Sequence, residues 1–114
     1  MGLEPKTREA VEYEDENGDS PYESWISSLR DVTGRAKIAG RINRAAKGNF
    51  GDHANLGDGL WELRFIGKGP GYRVYFTIDK NDTIILLMGG GIKKSQSKDI
   101  EAAKKLLQDH KKEN

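Results

Sequence analysis

The stretch Gly69–Phe76 reads GPGYRVYF and places a glycine- and proline-rich turn directly before a run of aromatic and β-branched residues. Aromatic and β-branched residues favour strands, and a Gly/Pro cluster between two such runs indicates a turn. The runs Leu60–Ile66 and Thr83–Met88 flank this stretch and complete a predicted meander of three strands. Because short turns join the strands, we expect an antiparallel sheet. The open question is why an arginine, Arg73, lies in the middle strand.

Helical patterns lie on both sides of this meander. A serine followed by proline predicts a short helix that begins at Ser20 and ends near Asp31. A second helix is predicted over Thr33–Lys47, where a glycine follows the last turn. Apolar residues at helical spacing predict a final helix that begins at Ser95 or Ser97.

The remaining segments complete the predicted topology. The loosely alternating segment Thr7–Tyr13 is a candidate first strand, Gly51–Gly59 is predicted to be a loop, and Gly89–Gly91 is predicted to end the third strand of the meander. The order is therefore β-α-α-β-β-β-α, an α+β fold with the helices packed on one face of an antiparallel sheet. The 114 residues contain no long linker, so residues 1–114 are predicted to form a single domain.

Composition excludes several classes of protein. The chain has no cysteine, which removes disulfides, thiolate catalysis and cysteine-based zinc sites. The two histidines, His53 and His110, are far apart in sequence, so we predict no metal and no cofactor. The longest apolar run, Ile84–Met88, is five residues, and the N-terminus lacks an apolar signal core. We therefore predict a cytoplasmic protein without a membrane partner.

The net charge of +1 conceals two unlike parts of the chain. Residues 1–31 carry nine acidic and three basic side chains, whereas residues 32–114 carry nine acidic and sixteen basic side chains. A basic body favours a polyanionic partner, and nucleic acid is the commonest one. The alternative is that the lysines and arginines only solvate the surface.

The second predicted helix concentrates this positive charge. Lys37, Arg41 and Arg44 fall on one face of it, and no acidic residue lies between Arg35 and Lys47. Solvated helix faces usually mix the two signs of charge, so an all-basic face favours an anionic partner; the alternative is a face that is merely solvated. The candidate nucleic-acid contacts are Lys37, Arg41, Arg44 and, in the turn before the middle strand, Lys68.

Strand alternation gives Arg73 its neighbours. If the apolar positions of the first two meander strands face the helices, the opposite, open face carries two guanidinium groups, a carboxylate and a phenol: Glu62, Arg64, Arg73 and Tyr75. Lys93 and Lys94 follow the third strand and reach the same surface. Clustered arginines suit phosphate recognition because the planar guanidinium binds two phosphate oxygens at once. The alternative is a set of solvated cross-strand pairs.

Several of these pieces together resemble a known family. The segments RINRAAKGNFGD, LWELRF, GPGYRVYF and GGGIKKSQSKDIEAAKKL resemble the RelE/ParE superfamily of type II toxin–antitoxin toxins, in particular its branch of addiction-module killer proteins related to HigB. The resemblance covers Tyr22–Asp109. It implies a sheet covered by helices, with the first strand beside the last.

The resemblance also implies a function and partners. Many RelE-like toxins are endoribonucleases that cut mRNA in the ribosomal A site. In that reaction the ribose 2′-hydroxyl attacks the adjacent phosphate, and no metal is needed. The implied partners are mRNA, the ribosome with its 16S rRNA, and a cognate antitoxin that neutralises the toxin; oligomers are expected only through the antitoxin complex.

The residues of this family carry over unevenly. Arg73 matches the strand arginine that contacts the scissile phosphate, and Arg64 falls where RelE has a catalytic lysine. Glu62 falls where RelE has another lysine, so the sign of the charge is reversed. Lys93 or Lys94 lies near the position of a second RelE arginine.

The acid–base groups of the family carry over less well than the phosphate contacts. Asp99 stands near the position of a RelE tyrosine, and no histidine of the HigB type lies there. Asp99 or Tyr75 is therefore the candidate for proton transfer. Two alternatives remain: a ParE-like inhibitor of DNA gyrase, and a non-catalytic relic that only binds an antitoxin. The set Arg64, Arg73 and Lys93 favours the mRNA endonuclease, whereas Glu62 and Asp99 favour the relic.

Overall fold

A computed structural model describes residues 3–65 and 69–113 of the chain. Its elements, in chain order, are β1 (Ala10–Glu12), α1 (Pro21–Ser28), α2 (Val32–Ala46), β2 (His53–Gly57), β3 (Leu60–Arg64), β4 (Arg73–Ile78), β5 (Ile84–Gly91), a 3-10 turn (Lys93–Ser95) and α3 (Gln96–Glu113). The five strands form one sheet in the order β1-β5-β4-β3-β2. The predicted α+β class, the meander and the helices are confirmed. No helix within the described ranges is long and apolar enough to cross a membrane.

The prediction that all helices pack on one face of the sheet is wrong. Helices α1 and α2 cover one face, where Ile38 and Ile42 pack against Val74 and Phe76. Helix α3 covers the other face, where Leu107 packs in a second core with Tyr75 and Leu87. Because β4 and β5 carry apolar side chains on both faces, helices on one face alone would leave the apolar side chains of the other face exposed to water.

The sheet is mixed, which corrects the prediction of an antiparallel sheet. The pairs β2–β3, β3–β4 and β4–β5 are antiparallel, as the short turns require. Strand β1 pairs with β5 in parallel, with Ala10 opposite Ile84. A long stretch of chain separates β1 from β5, so no hairpin turn imposes an antiparallel direction. The adjacency of first and last strands, implied by the family resemblance, is confirmed.

Strand β2 lies within the segment that was predicted to be a loop. It pairs with β3 through a two-residue connection, Asp58-Gly59, flanked by the opposed residues Gly57 and Leu60. Both turn residues have positive φ, 58° at Asp58 and 87° at Gly59. Such angles match the right-handed twist of a tight hairpin. The local turn chemistry therefore outweighs the weak strand propensity of the sequence HANLG.

The glycine run after the third meander strand does not end that strand, contrary to prediction. Strand β5 continues through Gly91, which lies opposite Arg73. At Gly89 the missing side chain leaves room for the Trp25 ring of α1, which a Cβ at this position would overlap. Gly89 thus allows α1 to pack closely on the sheet and does not end the strand.

The helix boundaries agree with the sequence within a few residues. Ser20 caps α1, since its Oγ accepts a hydrogen bond from the Glu23 backbone N–H at 3.0 Å. Asp31 caps α2 in the same way through Gly34 N–H at 2.9 Å. Helix α1 ends at Ser28, three residues before the predicted end, because Asp31 is the N-cap of α2 and has an extended backbone.

Candidate active site

The pairing of β3 with β4 brings the predicted polar side chains together. Arg64 lies directly opposite Arg73, and Glu62 lies directly opposite Tyr75. Directly opposed residues point to the same side of a sheet, so all four share one face, as the alternation predicted. Tyr75 belongs to the core that α3 covers, which identifies this face as the α3 side.

The prediction that this face is open is wrong. The exposed fraction of the side chain is 38% for Arg64, 9% for Arg73 and 0% for Glu62, and Tyr75 is fully buried. The same face carries apolar residues such as Leu60, whose burial favours a covering helix. Arg64 is therefore the member of the cluster that reaches solvent most readily.

Glu62 connects three elements through its buried carboxylate. Its Oε1 accepts a hydrogen bond from Arg64 Nε at 2.9 Å and lies 4.0 Å from Arg73 Nε. Its Oε2 accepts a hydrogen bond from Gln96 Nε2 of α3 at 2.8 Å. The hydrogen bond to Glu62 raises the pKa of the Arg64 guanidinium. The carboxylate thus binds two cations of the sheet and the first turn of α3.

Two buried polar atoms beside Glu62, Arg73 Nε and the Tyr75 hydroxyl, have no hydrogen-bond partner within the described ranges. Arg73 Nη1 donates to the carbonyls of Gly71 and Tyr72, both at 3.2 Å. Burial, and next the charge of Glu62, raise the pKa of the Tyr75 phenol. The phenol is therefore protonated at neutral pH, which argues against a general base, and its raised pKa also makes it a weak acid.

Lys93 and Lys94 lie at the end of the sheet where β4 begins. Both are exposed in the 3-10 turn, and Lys93 N–H donates to the Pro70 carbonyl at 3.2 Å. A Cβ at Gly71 would approach the Lys93 Cβ to 3.2 Å, so the two backbones are closely packed. This packing places the Lys93 backbone next to the loop that leads into Arg73.

Asp99 lies in the first turn of α3, near the buried phenol. Its Oδ2 accepts a hydrogen bond from Ser95 Oγ at 2.6 Å. Its negative charge also contributes to the raised pKa of Tyr75. The structure therefore places both candidate proton-transfer residues on the α3 side, with Tyr75 behind the arginines and covered.

The loop before Arg73 is attached to α2 through Tyr72. The Tyr72 hydroxyl donates to Asp31 Oδ2 at 2.9 Å, while Oδ1 of the same carboxylate caps the helix at Gly34. The Trp25 ring meets the Tyr72 ring edge-on, with centroids 6.0 Å apart. These contacts hold the residue next to Arg73 in place.

We expect Asp31 to contribute to the acid sensitivity of folding. The Gly34 N–H first and the Tyr72 hydroxyl second lower the pKa of its carboxyl. A lowered pKa in the folded state means that the stabilisation is present above about pH 4, the unfolded value, and is lost as pH falls through the folded pKa. Urea unfolding between pH 2 and 7 should show a smaller loss at low pH for Asp31→Asn than for wild type.

Two comparisons make that measurement specific. Tyr72→Phe removes the second cause alone and should remove part of the same pH dependence. Asp82, whose pKa is also lowered, by Lys6 and Arg8, stays unchanged in both variants. Parallel pH curves for wild type and Asp31→Asn would contradict the assignment.

The basic residues of α2 lie on the other side of the sheet from the arginine cluster. Lys37, Arg41 and Arg44 line a groove of about 220 Å³ between α2 and the loop before β4. Arg41 has an internal structural role, since it donates to the carbonyls of Phe50, Asp52 and Arg64 at 2.7 to 3.0 Å. Lys37 and Arg44 are exposed. Lys68, the fourth predicted contact, lies outside the described residues.

Two residues of the site were given no catalytic or binding role from the sequence, although Glu62 was placed on the shared face. The sequence analysis treated Glu62 as a departure from the family pattern, and it did not consider Gln96. The signal for Glu62 was its place two residues before Arg64, on the face that also holds Arg73. No sequence pattern indicates Gln96, because its contact with Glu62 depends on where α3 crosses the sheet.

Metal-binding geometry is not found in the described ranges. Within residues 3–65 and 69–113, no three histidine, cysteine, aspartate or glutamate side chains lie close enough together to hold a metal ion. His53, on β2, has its Nδ1 2.7 Å from the Gly51 carbonyl and its ring against Trp61.

Comparisons with known proteins place the cluster in a family context. Residues 24–108 match the family model described as "Phage derived protein Gp49-like (DUF891)". An uncharacterized protein of Haemophilus influenzae is 46% identical over 88 residues, which cover 77% of this chain and 87% of that protein. The range matched by the family model includes Glu62, Arg64, Arg73, Tyr75, Lys93, Gln96 and Asp99.

Proposed function

We propose that this chain, which belongs to the Gp49-like family of phage-derived proteins, is the toxin of a toxin–antitoxin pair and cleaves messenger RNA on the ribosome. The family is related to toxin–antitoxin systems and is associated with toxins of the endoribonuclease type. The proposal assigns the reaction to attack of a ribose 2′-hydroxyl on the adjacent phosphate. A cognate antitoxin neutralises the protein, and larger oligomers form only through that complex.

The observation that carries this proposal is the arginine pair, Arg64 opposite Arg73. Two like charges directly opposed on neighbouring strands destabilise a sheet unless a counterion or a ligand neutralises them. Guanidinium groups bind phosphate oxygens in pairs, and fixed cations stabilise the extra negative charge of a pentavalent phosphorane. In the proposal Arg64, Arg73 and the exposed Lys93 and Lys94 contact the scissile phosphate and its neighbours.

Proton transfer is assigned to the α3 side of the cluster. Tyr75 keeps its proton at neutral pH and is the candidate acid for the leaving 5′-oxygen, although its raised pKa makes it a weak one until contact with the substrate changes its surroundings. Asp99, in the first turn of α3, is the candidate base. Because Tyr75 is fully buried, its contact with RNA requires the first turn of α3 to move aside.

The basic groove on α2 is assigned to the ribosome. Lys37 and Arg44 are exposed and lie on the face opposite the arginine cluster. A nucleotide in the arginine cluster does not reach them, so they fit the phosphate backbone of 16S rRNA better than the cleaved mRNA strand. Arg41 stabilises this groove, because its guanidinium donates hydrogen bonds to three backbone carbonyls.

The test combines purified protein with translating ribosomes and maps the 5′ ends of the mRNA. We expect new ends that carry a 5′-hydroxyl, facing fragments with a 2′,3′-cyclic phosphate, and no cleavage when the cognate antitoxin is added first. Intact mRNA with arrested DNA replication in expressing cells would instead support inhibition of gyrase. Intact mRNA with normal replication and tight antitoxin binding would support the non-catalytic relic.

A further inference from the structure

Glu62 is a fully buried carboxylate in a cluster that carries more positive than negative charge. Burial of a charge is costly unless ion pairs and hydrogen bonds compensate it. Here Oε1 accepts a hydrogen bond from Arg64 Nε and lies 4.0 Å from Arg73 Nε, and Oε2 accepts a hydrogen bond from Gln96.

The contacts of Glu62 use the inner side of each guanidinium. Arg64 contacts the carboxylate through Nε, and its Nη1 and Nη2 have no hydrogen-bond partner among the residues that the structure describes. Arg73 also turns its Nε toward Glu62, while its Nη1 is held by the Gly71 and Tyr72 carbonyls. Arg64 therefore keeps both terminal nitrogens available for another anion, whereas Arg73 keeps Nη2.

Like charges at directly opposed positions would otherwise drive the two arginines apart. Glu62 lies diagonally across from Arg73 and two residues before Arg64, so one oxygen reaches both. We propose that Glu62 is a positioning residue, which holds Arg64 and Arg73 side by side with terminal nitrogens directed at one phosphate group. This inference rests on the proposed function for the identity of that phosphate.

A direct catalytic role for Glu62 fits the geometry poorly. A general base has to lie within hydrogen-bond distance of the proton that it removes. Glu62 is 0% exposed, and both of its oxygens already accept hydrogen bonds. Glu62 therefore acts through the arginines and not on the substrate.

The main test compares Glu62→Gln with wild type in the ribosome cleavage assay. Glutamine keeps the size of the side chain and removes the charge that attracts both guanidinium groups. A displacement of about 1 Å in a catalytic group costs about 100-fold in rate, so we expect kcat to fall by about that factor and KM to change by less than about threefold. Thr77→Val is the matched control, since it removes a buried hydrogen bond on the same face of β4, from Thr77 Oγ1 to the Gly59 carbonyl, without touching the cluster.

A double-mutant cycle separates positioning from a general loss of structure. In an Arg64→Ala background, Glu62→Gln should cost several-fold less than in wild type, because one of the two groups that it positions is already gone. Equal costs in both backgrounds would overturn the proposal. If Glu62→Gln does not fold, Gln96→Ala serves instead, because it removes one contact of Glu62 from the α3 side and should lower kcat about tenfold.

A second measurement does not depend on RNA cleavage. NMR of the Arg64 Nε–H group, which donates to Glu62, should show slow exchange with solvent in wild type, fast exchange in Glu62→Gln and no change in Thr77→Val. If the wild-type protein leaves mRNA intact while this exchange pattern holds, the proposed function fails and the positioning role stands. Unchanged exchange in Glu62→Gln, or cleavage within threefold of wild type, would overturn the positioning role itself.

Discussion

Replacement of Arg73 by alanine is expected to lower the rate of mRNA cleavage about 100- to 1000-fold, the usual cost of losing one fixed group that stabilises transition-state charge. The side chain is 9% exposed and its Nε faces Glu62, so its orientation is set before substrate binds. Preorganised charge is more effective than charge that must be oriented during the reaction. Growth arrest on expression should accordingly be relieved.

The same burial makes Arg73→Ala a structural change as well, which the sequence analysis did not anticipate. Without Arg73, Glu62 retains Arg64 and Gln96, but a cavity opens beside it. Arg73→Lys is therefore the informative companion variant. Lysine keeps the charge and most of the volume but lacks the planar guanidinium, so cleavage should remain well below wild type while stability recovers.

Two kinds of measurement separate an effect on the fold from an effect on the chemistry in these two variants. Thermal unfolding and antitoxin binding report the fold, and single-turnover cleavage reports the chemistry. Arg44→Ala, on the opposite side of the sheet, is the control and should weaken ribosome binding, most strongly at low salt, with an unchanged rate of cleavage at saturation. Full toxicity of Arg73→Ala would show that the arginine pair is not the reacting site.

The shared face of the candidate site was predictable because strand alternation is a strict rule. A period of two residues puts Glu62 and Arg64 on one side of β3 and Arg73 and Tyr75 on one side of β4. The exposure of that face was not predictable by the same rule. The exposure depends on where α3 packs, and α3 covers Leu60, which lies on the same face as the charged residues.

The missed strand β2 shows a different limit. The sequence HANLG lacks the β-branched and aromatic residues that usually mark a strand, so propensity indicated a loop. Asp58-Gly59 was the better signal, because this dipeptide accepts positive φ at both positions and favours a tight hairpin. Turn chemistry was more informative here than the composition of the strand itself.

The glycine run was misread because glycine has two opposite uses in a strand. It weakens extended structure by its flexibility, and it also allows another group to approach the backbone. At Gly89 the second use applies, since the Trp25 ring lies where a Cβ would be. Sequence alone does not distinguish the two uses, because the tryptophan is distant in the chain and reaches the sheet only through the packing of α1.

That packing predicts the largest change in stability. Gly89→Ala places a methyl group inside the space of the Trp25 ring, where it would overlap a ring carbon. If the ring moves away, the protein loses the packing of a large aromatic residue, so the free energy of unfolding should fall by about 3 to 5 kcal/mol. Urea unfolding at neutral pH measures this value.

Two further variants test whether the lost stability comes from the contact between Trp25 and Gly89. Gly40→Ala, in the middle of α2, meets only the flexible end of Arg44 at 3.4 Å and should stabilise the helix by up to about 1 kcal/mol. In the Gly89→Ala background, Trp25→Leu removes the overlapping ring and should cost far less than in wild type, because residues in direct contact are not additive. Additive costs for Gly89→Ala and Trp25→Leu would mean that the tryptophan does not pack on β5. In that case Tyr72 and the loop before Arg73 would also lack the edge-on contact with Trp25 that supports them.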